Sequence, residues 1–326
     1  MNGRQLARQT LKSSRNAGPN IGYPQLQRDR MNQLISVYLP TRNRQLLLAR
    51  AVRSALQQTY ANIELIVVND GSTDETMIFL DQAQQEDRRL VPIHIRESVG
   101  PSAARNIAIK MARGAFVTGL DDDDEFVGDR IASFVEKWED LSAARPFSCL
   151  FAQSVFVTNG SEWITNDRKD HVHFADLFYH NYIGNQVFTT KEYLVGAGLF
   201  DENLDAWEDL DLFMRLVRKF GEARLLNSPT YVCDVSRDRE RISRNEPRIR
   251  RSFDLILEKY PDLQPHLKQR LFLQMFSDYH GIRPSIDDFR RFFGWGISVD
   301  ATFELFKPLV KASLKSFAGR RTANAR

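Results

Sequence analysis

The hydrophobic and polar positions between residues 34 and 120 change repeatedly between short apolar runs and stretches with helical spacing. Apolar runs of strand length cover residues 34–39, 63–68, 90–95 and 115–120. Between them, apolar residues recur at helical intervals over about 46–56, 74–85 and 103–111, which predicts amphipathic helices. Because strand and helix alternate, we expect βαβ units in a largely parallel sheet flanked by helices, as in Rossmann-like α/β folds.

The second half of the chain has a less regular pattern. Apolar runs at 149–157 and 183–188 predict two further strands, and apolar positions from Leu212 predict a helix that ends near Gly221. From Ser252 onward the pattern is helical, amphipathic and rich in Phe. This half is expected to extend the α/β part and then to continue into helices.

Three segments follow from these patterns. Residues 1–31 are polar and basic, which predicts a flexible extension. Residues 32–245 carry the α/β pattern, and residues 246–326 form a helical C-terminal region. Between Phe303 and Phe317 that region separates apolar from cationic positions. Such a helix either packs against the protein with a solvated basic side or lies on an anionic membrane surface.

Composition is typical of a soluble globular protein. The chain has 326 residues, 42% hydrophobic and 27% charged, with a net charge of +3, which is too near neutral to predict nucleic-acid binding. Cys149 and Cys233 are far apart and give no disulfide framework. With no apolar run of about 18 residues and no apolar N-terminal signal, we expect a cytoplasmic protein, with peripheral contact to the inner face of the plasma membrane as an option.

The acidic run at 121–125 is the strongest chemical signal. It follows the fourth predicted strand, and the carboxyl ends of such strands are where open α/β sheets bind ligands. Hard carboxylate oxygens suit Mg²⁺ or Mn²⁺, and a divalent ion suits a diphosphate. The alternative is a solvated acidic turn. Thr41 and Asp70 also follow predicted strands and should emerge at the same edge as Asp121, which favours a ligand site over a turn.

Other polar segments narrow the choice of site. The turn at 40–44 contains no glycine, which excludes the usual dinucleotide-binding and P-loop motifs. Arginines concentrate between 237 and 251, but acidic residues interleave with them. This pattern argues against a nucleic-acid surface and suits a place beside a diphosphate. His171, His173 and His180 have no other ligand type spaced with them and are expected to be ordinary loop and helix histidines.

Glu208 and Asp209 are predicted at or near the N-terminus of the helix that contains Leu212. The unpaired amides there stabilise a carboxylate. From the pattern alone, these residues are either a helix cap or part of a site.

Segments in a characteristic order link the chain to a known family. They lie at 37–44, 67–74, 100–106, 120–124 and 207–212, and the fourth stands where the family has its Asp-x-Asp motif. The chain from about 34 to 245 therefore resembles a family 2 glycosyltransferase with the GT-A fold, similar to bacterial surface-polysaccharide glycosyltransferases.

The resemblance implies a role for each matching residue. Contact with the nucleotide-sugar donor is implied for Pro40, Thr41, Asn43, Asp70, Arg105, Asp121 and Asp122. Asp121 and Asp123 are implied to hold a divalent metal, Mn²⁺ or Mg²⁺. Trp207 and Glu208 would bind the acceptor, and Asp209 would be the general base.

The sequence also departs from the family pattern. Many relatives carry a downstream histidine that completes the metal site, but residues 231–238 contain none. Asp234 and Asp238 are candidate replacements, as is arginine charge. The Gln-x-x-Arg-Trp motif of processive synthases is absent too, which implies the addition of a single sugar.

The implied reaction is an inverting transfer from a nucleotide-sugar, a UDP-sugar by preference, to a hydroxyl of a saccharide or lipid-linked saccharide. Synthesis of bacterial capsule or O-antigen is the setting that the resemblance suggests. The alternative from another class is a non-catalytic nucleotide-sugar or cation-binding protein on the same fold.

Overall fold

The computed structural model describes residues 33–142, 146–158, 161–165, 168–235 and 245–306. Within these ranges the strands are β1 (Ile35–Thr41), β2 (Ile63–Asp70), β3 (Leu90–Ile95), β4 (Phe116–Gly119), β5 (Asp124–Phe126), β6 (Cys149–Thr158), β7 (Ser161–Ile164), β8 (His171–Val172), β9 (Phe188–Thr190) and β10 (Ala223–Asp234). The helices are α1 (Gln45–Leu56), α2 (Thr76–Glu86), α3 (Pro101–Met111), α4 (Arg130–Ser142), α5 (Lys191–Ala197), α6 (Glu208–Phe220), α7 (Glu246–Glu258), α8 (Pro265–Gln274) and α9 (Ile286–Gly294).

All of these strands join one sheet with the order β3-β2-β1-β4-β9-β6-β10-β5, with β7 added to β6 and β8 to β10. The first four strands in this order are parallel, as the alternating sequence pattern predicts. Beyond them β9 runs antiparallel to both β4 and β6, whereas β6 and β10 are parallel. The fold is therefore mixed α/β with a mostly parallel centre, which confirms the predicted fold class.

Alternation along the central strands divides the core between the two faces of the sheet. Val37 and Leu39 of β1 belong to one hydrophobic cluster, while Tyr38 between them belongs to the other. Helices α1, α2 and α4 contribute buried side chains to the first cluster, and α3, α5 and α6 to the second. Because successive side chains of a strand point to opposite faces, both faces of the sheet need helical cover.

The C-terminal helices share the second cluster with the α/β part. Phe253 of α7, Phe272 of α8 and Phe292 of α9 are fully buried in it, together with Phe213 of α6. Among the described helices, none combines the length and the apolar character needed to cross a bilayer.

The secondary structure differs from the sequence predictions at three places. The strand expected at 183–188 is wrong except for Phe188, where β9 begins, because the Asn181 side chain accepts hydrogen bonds from the amides of Ile183 and Gly184 and turns the chain there. The apolar pattern does not predict strand β10, since polar and proline positions at 227–229 interrupt it and the pairing with β6 is irregular there. The acidic run contains β5, which pairs with β10.

Some predictions concern residues outside the described ranges. These are the flexible extension at 1–31, the arginines at 237–244 with Asp238, and the basic end of the chain from 307 onward. The boundaries proposed at 31/32 and 245/246 stay predictions.

Candidate active site

Three predicted polar positions lie at one edge of the sheet. Because β1, β2 and β4 are parallel, Thr41, Asp70 and Asp121 all stand at or just beyond the carboxyl ends of their strands. Thr41 Oγ1 donates a hydrogen bond of 2.8 Å to Asp122 Oδ2 in a buried position. The loop after β1 is thereby joined directly to the acidic run.

Asp70 is occupied by the neighbouring loop. Its Oδ1 accepts from the amide of Val99 at 2.7 Å, and its Oδ2 accepts from the amide of Gly100 at 3.0 Å and from Ser98 Oγ at 2.8 Å. The side chain is buried. Both carboxylate oxygens thus hold the loop that leads into α3, a role that the sequence did not reveal; contact with the donor stays a prediction.

Asn43 likewise holds a neighbouring loop, the one that follows β2. Its backbone is left-handed (φ 53°), its Oδ1 accepts from the amide of Thr73 at 2.7 Å, and its own amide donates to Ser72 Oγ at 2.9 Å. Pro40 lies within β1, opposite Val68, and is partly buried. The loops after β1 and β2 are therefore fixed to each other; donor contacts of Asn43 and Pro40 stay predictions.

The carboxylates of the acidic run differ in whether they line the cavity. Asp122 is buried and accepts from Arg44 Nη1 at 2.8 Å as well as from Thr41. Asp121, Asp123 and Asp124 line an open cavity of about 1450 Å³. The side chain of Asp123 is 36% exposed. The solvated-turn alternative does not fit, since Asp122 and Asp124 are both buried.

Asp121 is the centre of a hydrogen-bond network. Its Oδ1 accepts from Arg105 Nη2 at 3.1 Å and from Gln186 Nε2 at 3.2 Å, and its Oδ2 accepts from Asn185 Nδ2 at 3.0 Å. Its amide donates to the hydroxyl of Tyr231 at 3.1 Å. Sequence analysis missed the two amide side chains because the pattern of the segment that carries them predicts a strand.

The cavity-facing carboxylates fit a divalent cation in part. Burial, followed by the charges of Asp121 and Asp123, raises the pKa of Asp124 well above its ordinary range. These carboxylates therefore repel one another, and a cation would relieve that repulsion. No three His, Cys, Asp or Glu side chains in the described ranges form a complete ligand set. A cation held by one or two carboxylates together with a diphosphate does not need one.

Asp234 stands near the acidic run, where the family histidine is missing. It ends β10, lines the same cavity, and its Oδ2 lies 3.3 Å from Arg50 Nη2. Arg50 Nη1 is also 3.5 Å from Glu125. Of the two candidate replacements, Asp234 is thus placed at the cavity, and Asp238 is outside the described ranges.

The three histidines that are close in sequence do not come together at one site. His171 Nδ1 lies 2.9 Å and His173 Nδ1 3.5 Å from the carboxylate of Glu222, which also accepts from Arg224. His180 lines the cavity instead.

Helix α6 begins at the cavity with Glu208 and Asp209, as the sequence predicted. Arg105 Nη1 lies 3.2 Å from Glu208 Oε1 while the same guanidinium holds Asp121. Burial lowers the pKa of Arg105, but Asp209, Asp121 and Glu208 outweigh it and raise that pKa well above the usual range. A fixed cation therefore stands among these carboxylates.

Asp209 differs from its neighbours in hydrogen bonding. Its Oδ1 is buried and has no hydrogen-bond partner among the described residues, although the residue lines the cavity. Burial raises the pKa of Asp209 well above the ordinary range, Arg105 opposes this, and Glu208 and Asp121 add to it. A carboxylate with raised proton affinity is suited to accept a proton near neutral pH. The helix-cap alternative is weaker, since no capping hydrogen bond engages it.

The loop before α6 is held by α7 and by Lys259, which directly follows that helix. The amide of Ala206 donates to Ser252 Oγ at 3.2 Å, Arg251 lies 3.0 Å from Asp205, and Lys259 lies 2.7 Å from Asp201. These contacts fix the approach to Trp207, the residue before α6. Helix α8 and the residues after it then supply the facing wall of the cavity, including Phe276, Tyr279 and His280.

Comparison with known proteins agrees with this geometry. The family described as "Glycosyl transferase family 2" matches residues 36–166. The protein named as a putative colanic acid biosynthesis glycosyl transferase, WcaA of Escherichia coli K12, is 35% identical over 210 residues, covering 63% of this chain and 74% of WcaA. The UDP-Glc:α-D-GlcNAc-diphosphoundecaprenol β-1,3-glucosyltransferase WfaP of E. coli is 32% identical over 128 residues, covering 39% of this chain and half of WfaP.

A solved structure supports the fold. The crystal structure of S. aureus TarS residues 1–349 with UDP-GlcNAc superposes with a TM-score of 0.62 at 19% identity, covering 84% of this chain and 79% of that one. The similarity to WcaA covers most of that protein's length as well as most of this chain. With an acidic loop and a carboxylate-bearing helix at one cavity of a mostly parallel sheet, the chain belongs to glycosyl transferase family 2.

Proposed function

We propose that this glycosyltransferase moves a single sugar, with inversion, from a UDP-sugar to a hydroxyl of a saccharide or lipid-linked saccharide acceptor. The proposed setting is the synthesis of a bacterial surface polysaccharide such as capsule or O-antigen. The observation that carries the proposal is the placement of Asp209, with its raised pKa, in the same cavity as Asp121 and Asp123.

The proposed step needs a base, and Asp209 is the proposed one. The acceptor hydroxyl attacks the anomeric carbon of the donor and gives its proton to the Asp209 carboxylate. The bond between that carbon and the diphosphate oxygen breaks, and the nucleoside diphosphate leaves with the electron pair. A single displacement of this kind inverts the configuration, and one base suffices for it.

The acidic loop is the proposed donor side. Asp121 and Asp123 would hold Mn²⁺ or Mg²⁺, with Asp234 as a candidate third contributor. When bound, the cation supplies positive charge against the diphosphate that departs. Arg105 orients Asp121 and Glu208 and keeps a fixed positive charge beside the base. Thr41, Asn43, Asp70 and Asp122 are proposed to hold the donor loops in shape, whether or not they also touch the nucleotide.

The cavity is large enough for two substrates. Its volume of about 1450 Å³ exceeds the range of roughly 300–1,000 Å³ usual for one small ligand. Trp207 and Glu208 adjoin the proposed base and are the proposed acceptor contacts, with the indole as a stacking surface for a sugar ring.

The names of the relatives guide the choice of substrates. WfaP is named for UDP-Glc and a diphosphoundecaprenol-linked acceptor, TarS was solved with UDP-GlcNAc, and WcaA is named for colanic acid biosynthesis. These names support a UDP-sugar donor and a lipid-linked or saccharide acceptor here.

A binding screen followed by a transfer assay tests the proposal. Thermal-shift measurements against UDP-, GDP-, dTDP- and CMP-sugars, with and without Mn²⁺, should show the largest rise in Tm for a UDP-sugar with Mn²⁺. Release of UDP should then depend on an acceptor glycan and be slow without one. A protein that binds the donor but releases no UDP under any condition is the non-catalytic binder of the alternative.

Peripheral membrane contact is a further part of the proposal. Ile297, Val299 and Phe303 are exposed to 83%, 81% and 70%, and the basic segment from Lys307 follows them in sequence. Apolar side chains beside cationic ones suit an anionic lipid surface. Co-flotation with vesicles that contain phosphatidylglycerol, but not with neutral phosphatidylcholine vesicles, is expected; equal flotation with both or with neither contradicts it.

A further inference from the structure

The indole of Trp207 is hydrogen-bonded to a residue from the C-terminal region. Trp207 Nε1 donates to His280 Nε2 at 3.1 Å, and the two ring centroids are 5.8 Å apart. Both side chains line the cavity. Because an indole nitrogen is only a donor, Nε2 of His280 must present its lone pair, which places the proton of the neutral imidazole on Nδ1.

The backbone of Trp207 is in an uncommon conformation. Its φ of 59° is in the left-handed region, which bulky side chains rarely adopt. This residue connects the loop held by α7 to the first turn of α6, where Asp209 lies. Such strain persists only where the surrounding contacts stabilise it, and it tends to occur at functional sites.

The backbone around His280 is held by a local turn. Its amide donates to the carbonyl of Ser277 at 3.1 Å, and Gly281 follows with φ +70° and donates to the same carbonyl at 3.0 Å. Gln274, at the end of α8, donates through Nε2 to the carbonyl of Leu177 at 2.8 Å. The imidazole is therefore presented by a turn that is anchored to the α/β part.

We propose that His280 is a positioning residue that fixes the rotation of the Trp207 indole and so presents one constant ring face to the acceptor sugar. A stacking surface orients a sugar only if the ring does not rotate about its side-chain bonds. Trp207 packs partly buried against the second hydrophobic cluster, and the hydrogen bond at Nε1 adds a directional contact that selects one rotation of the ring. This role rests on the proposed function, since the occupant of the cavity beside Trp207 is the acceptor.

Two substitutions separate positioning from simple structural support. His280→Leu removes the lone pair at similar size, and we expect the KM for acceptor to rise about five- to tenfold, the equivalent of one hydrogen bond. The KM for the UDP-sugar should change by less than about twofold, because the lost hydrogen bond lies on the proposed acceptor side. His280→Gln keeps an acceptor oxygen within reach and should restore most of the acceptor affinity. Equal loss for donor and acceptor, or no change in His280→Leu, overturns the proposal.

A double-mutant cycle with Trp207→Phe tests the route of the effect. Phenylalanine cannot donate to His280, so adding His280→Leu in that background should change the acceptor KM no further. A further loss of activity in the double variant means that His280 acts on substrate directly, which contradicts a positioning role.

A measurement without substrates keeps this inference separate from the proposed function. The tryptophan fluorescence of His280→Leu should differ from that of the native protein, and the difference should vanish in the Trp207→Phe background. If the fluorescence behaves in this way while no sugar transfer is found, the contact between His280 and Trp207 is confirmed and the proposed function fails. If transfer occurs but neither fluorescence nor acceptor KM responds, the positioning role fails. Should His280→Leu not fold, His280→Ala, which also lacks the lone pair, gives the same comparison with and without Trp207→Phe.

Discussion

The guanidinium of Arg105 lies 3.2 Å from the carboxylate of Glu208, although 103 positions of the chain separate the two residues. The same guanidinium reaches Asp121 at 3.1 Å. The contact joins α3, inside the segment that matches the family, to the start of α6, which lies outside that segment. One side chain thus connects the proposed donor side with the helix that carries the proposed base.

Replacing Asp209 by Asn should abolish transfer and leave donor binding intact. A general base contributes roughly 10²- to 10⁴-fold to a rate, so kcat should fall by about that factor. Steady-state rates and UDP-sugar thermal shifts measure the two effects. Asp287→Asn, at an 85% exposed carboxylate, is the matched control and should be silent. Loss of donor binding in Asp209→Asn, or full activity, refutes the assignment.

The raised pKa of Asp209 also predicts a pH dependence. The base must be ionised to act, so kcat/KM should fall as pH drops through that raised pKa, above the ordinary range of an aspartate. A profile that stays flat down to the ordinary aspartate range contradicts the assignment.

Stability should change in the opposite sense. Where the folded pKa exceeds the unfolded value, the folded state binds more protons, so stability falls as pH rises through that window. The Asp209→Asn variant has no titrating carboxyl at this position and so lacks this loss of stability at higher pH. Its Tm should exceed that of the native protein at neutral pH, and the gap should close as the pH approaches the ordinary aspartate range. Thermal melts across pH measure the gap, and a constant or reversed gap contradicts it.

Removing Arg105 should destabilise the whole protein. Its side chain is only 10% exposed and stands among Asp121, Glu208 and Asp209, whose charges would then be uncompensated. Arg105→Gln should lower the free energy of unfolding by about 3 kcal/mol or more, as for other broken buried pairs. Arg290→Gln breaks a pair that is 77% and 85% exposed and should cost less than about 1 kcal/mol. Urea unfolding compares them, and equal costs would disprove the buried role.

Neighbours in the acidic run should respond differently to substitution. Asp123 faces the cavity, so Asp123→Asn should remove the gain in UDP-sugar binding on adding Mn²⁺. Asp122 is hydrogen-bonded to Thr41 and Arg44 and is not among the residues that line the cavity, so Asp122→Asn should keep the Mn²⁺ response. Asp129→Asn, at an exposed carboxylate just beyond the run, serves as the control. A lost response in Asp122→Asn but not in Asp123→Asn reverses the assignment.

Asp70 should matter even without substrate. Asn at this position keeps only one acceptor oxygen, so the bonds to the loop at 98–100 are incomplete, at a cost of about 1–3 kcal/mol. Urea unfolding of the unliganded Asp70→Asn variant measures the loss, with Ser98→Ala as a milder companion. Unchanged stability together with abolished donor binding instead supports a direct nucleotide contact.

The first half of the fold was predictable because its signals are local. The apolar run at 63–68 lies within β2, whose residues are all buried, and the spacing after Gln45 gives α1 with buried Leu48 and Val52. Burial on both faces of parallel strands produces such continuous runs. In the second half the run at 149–157 coincides with β6, but β9 is too short and the middle of β10 too irregular and polar to give a clear signal.

The contacts that hold the site residues in place could not be predicted from the sequence. Asp70 is recognisable as part of a motif, but its partners come from a loop 28 to 30 positions away. His280 follows no periodic pattern at all, and only the folded chain brings it to Trp207. Side chains that act through distant partners leave no spacing signal, whereas those grouped on one loop, as in the acidic run, do.

The anchoring of residues 201–206 by α7 has a consequence for how the protein can be divided. Thr41 and Asp121 are held by side chains that all precede residue 245, among them Asp122, Arg105 and Asn185. The entry to the base-bearing helix, in contrast, rests on the side chains of Ser252 and Lys259. The proposed donor side and the proposed acceptor side therefore depend on different segments of the chain. A chimaera that exchanges the helices after residue 245 with those of a relative would have to exchange the 201–207 loop as well, because side chains of the helical region hold that loop.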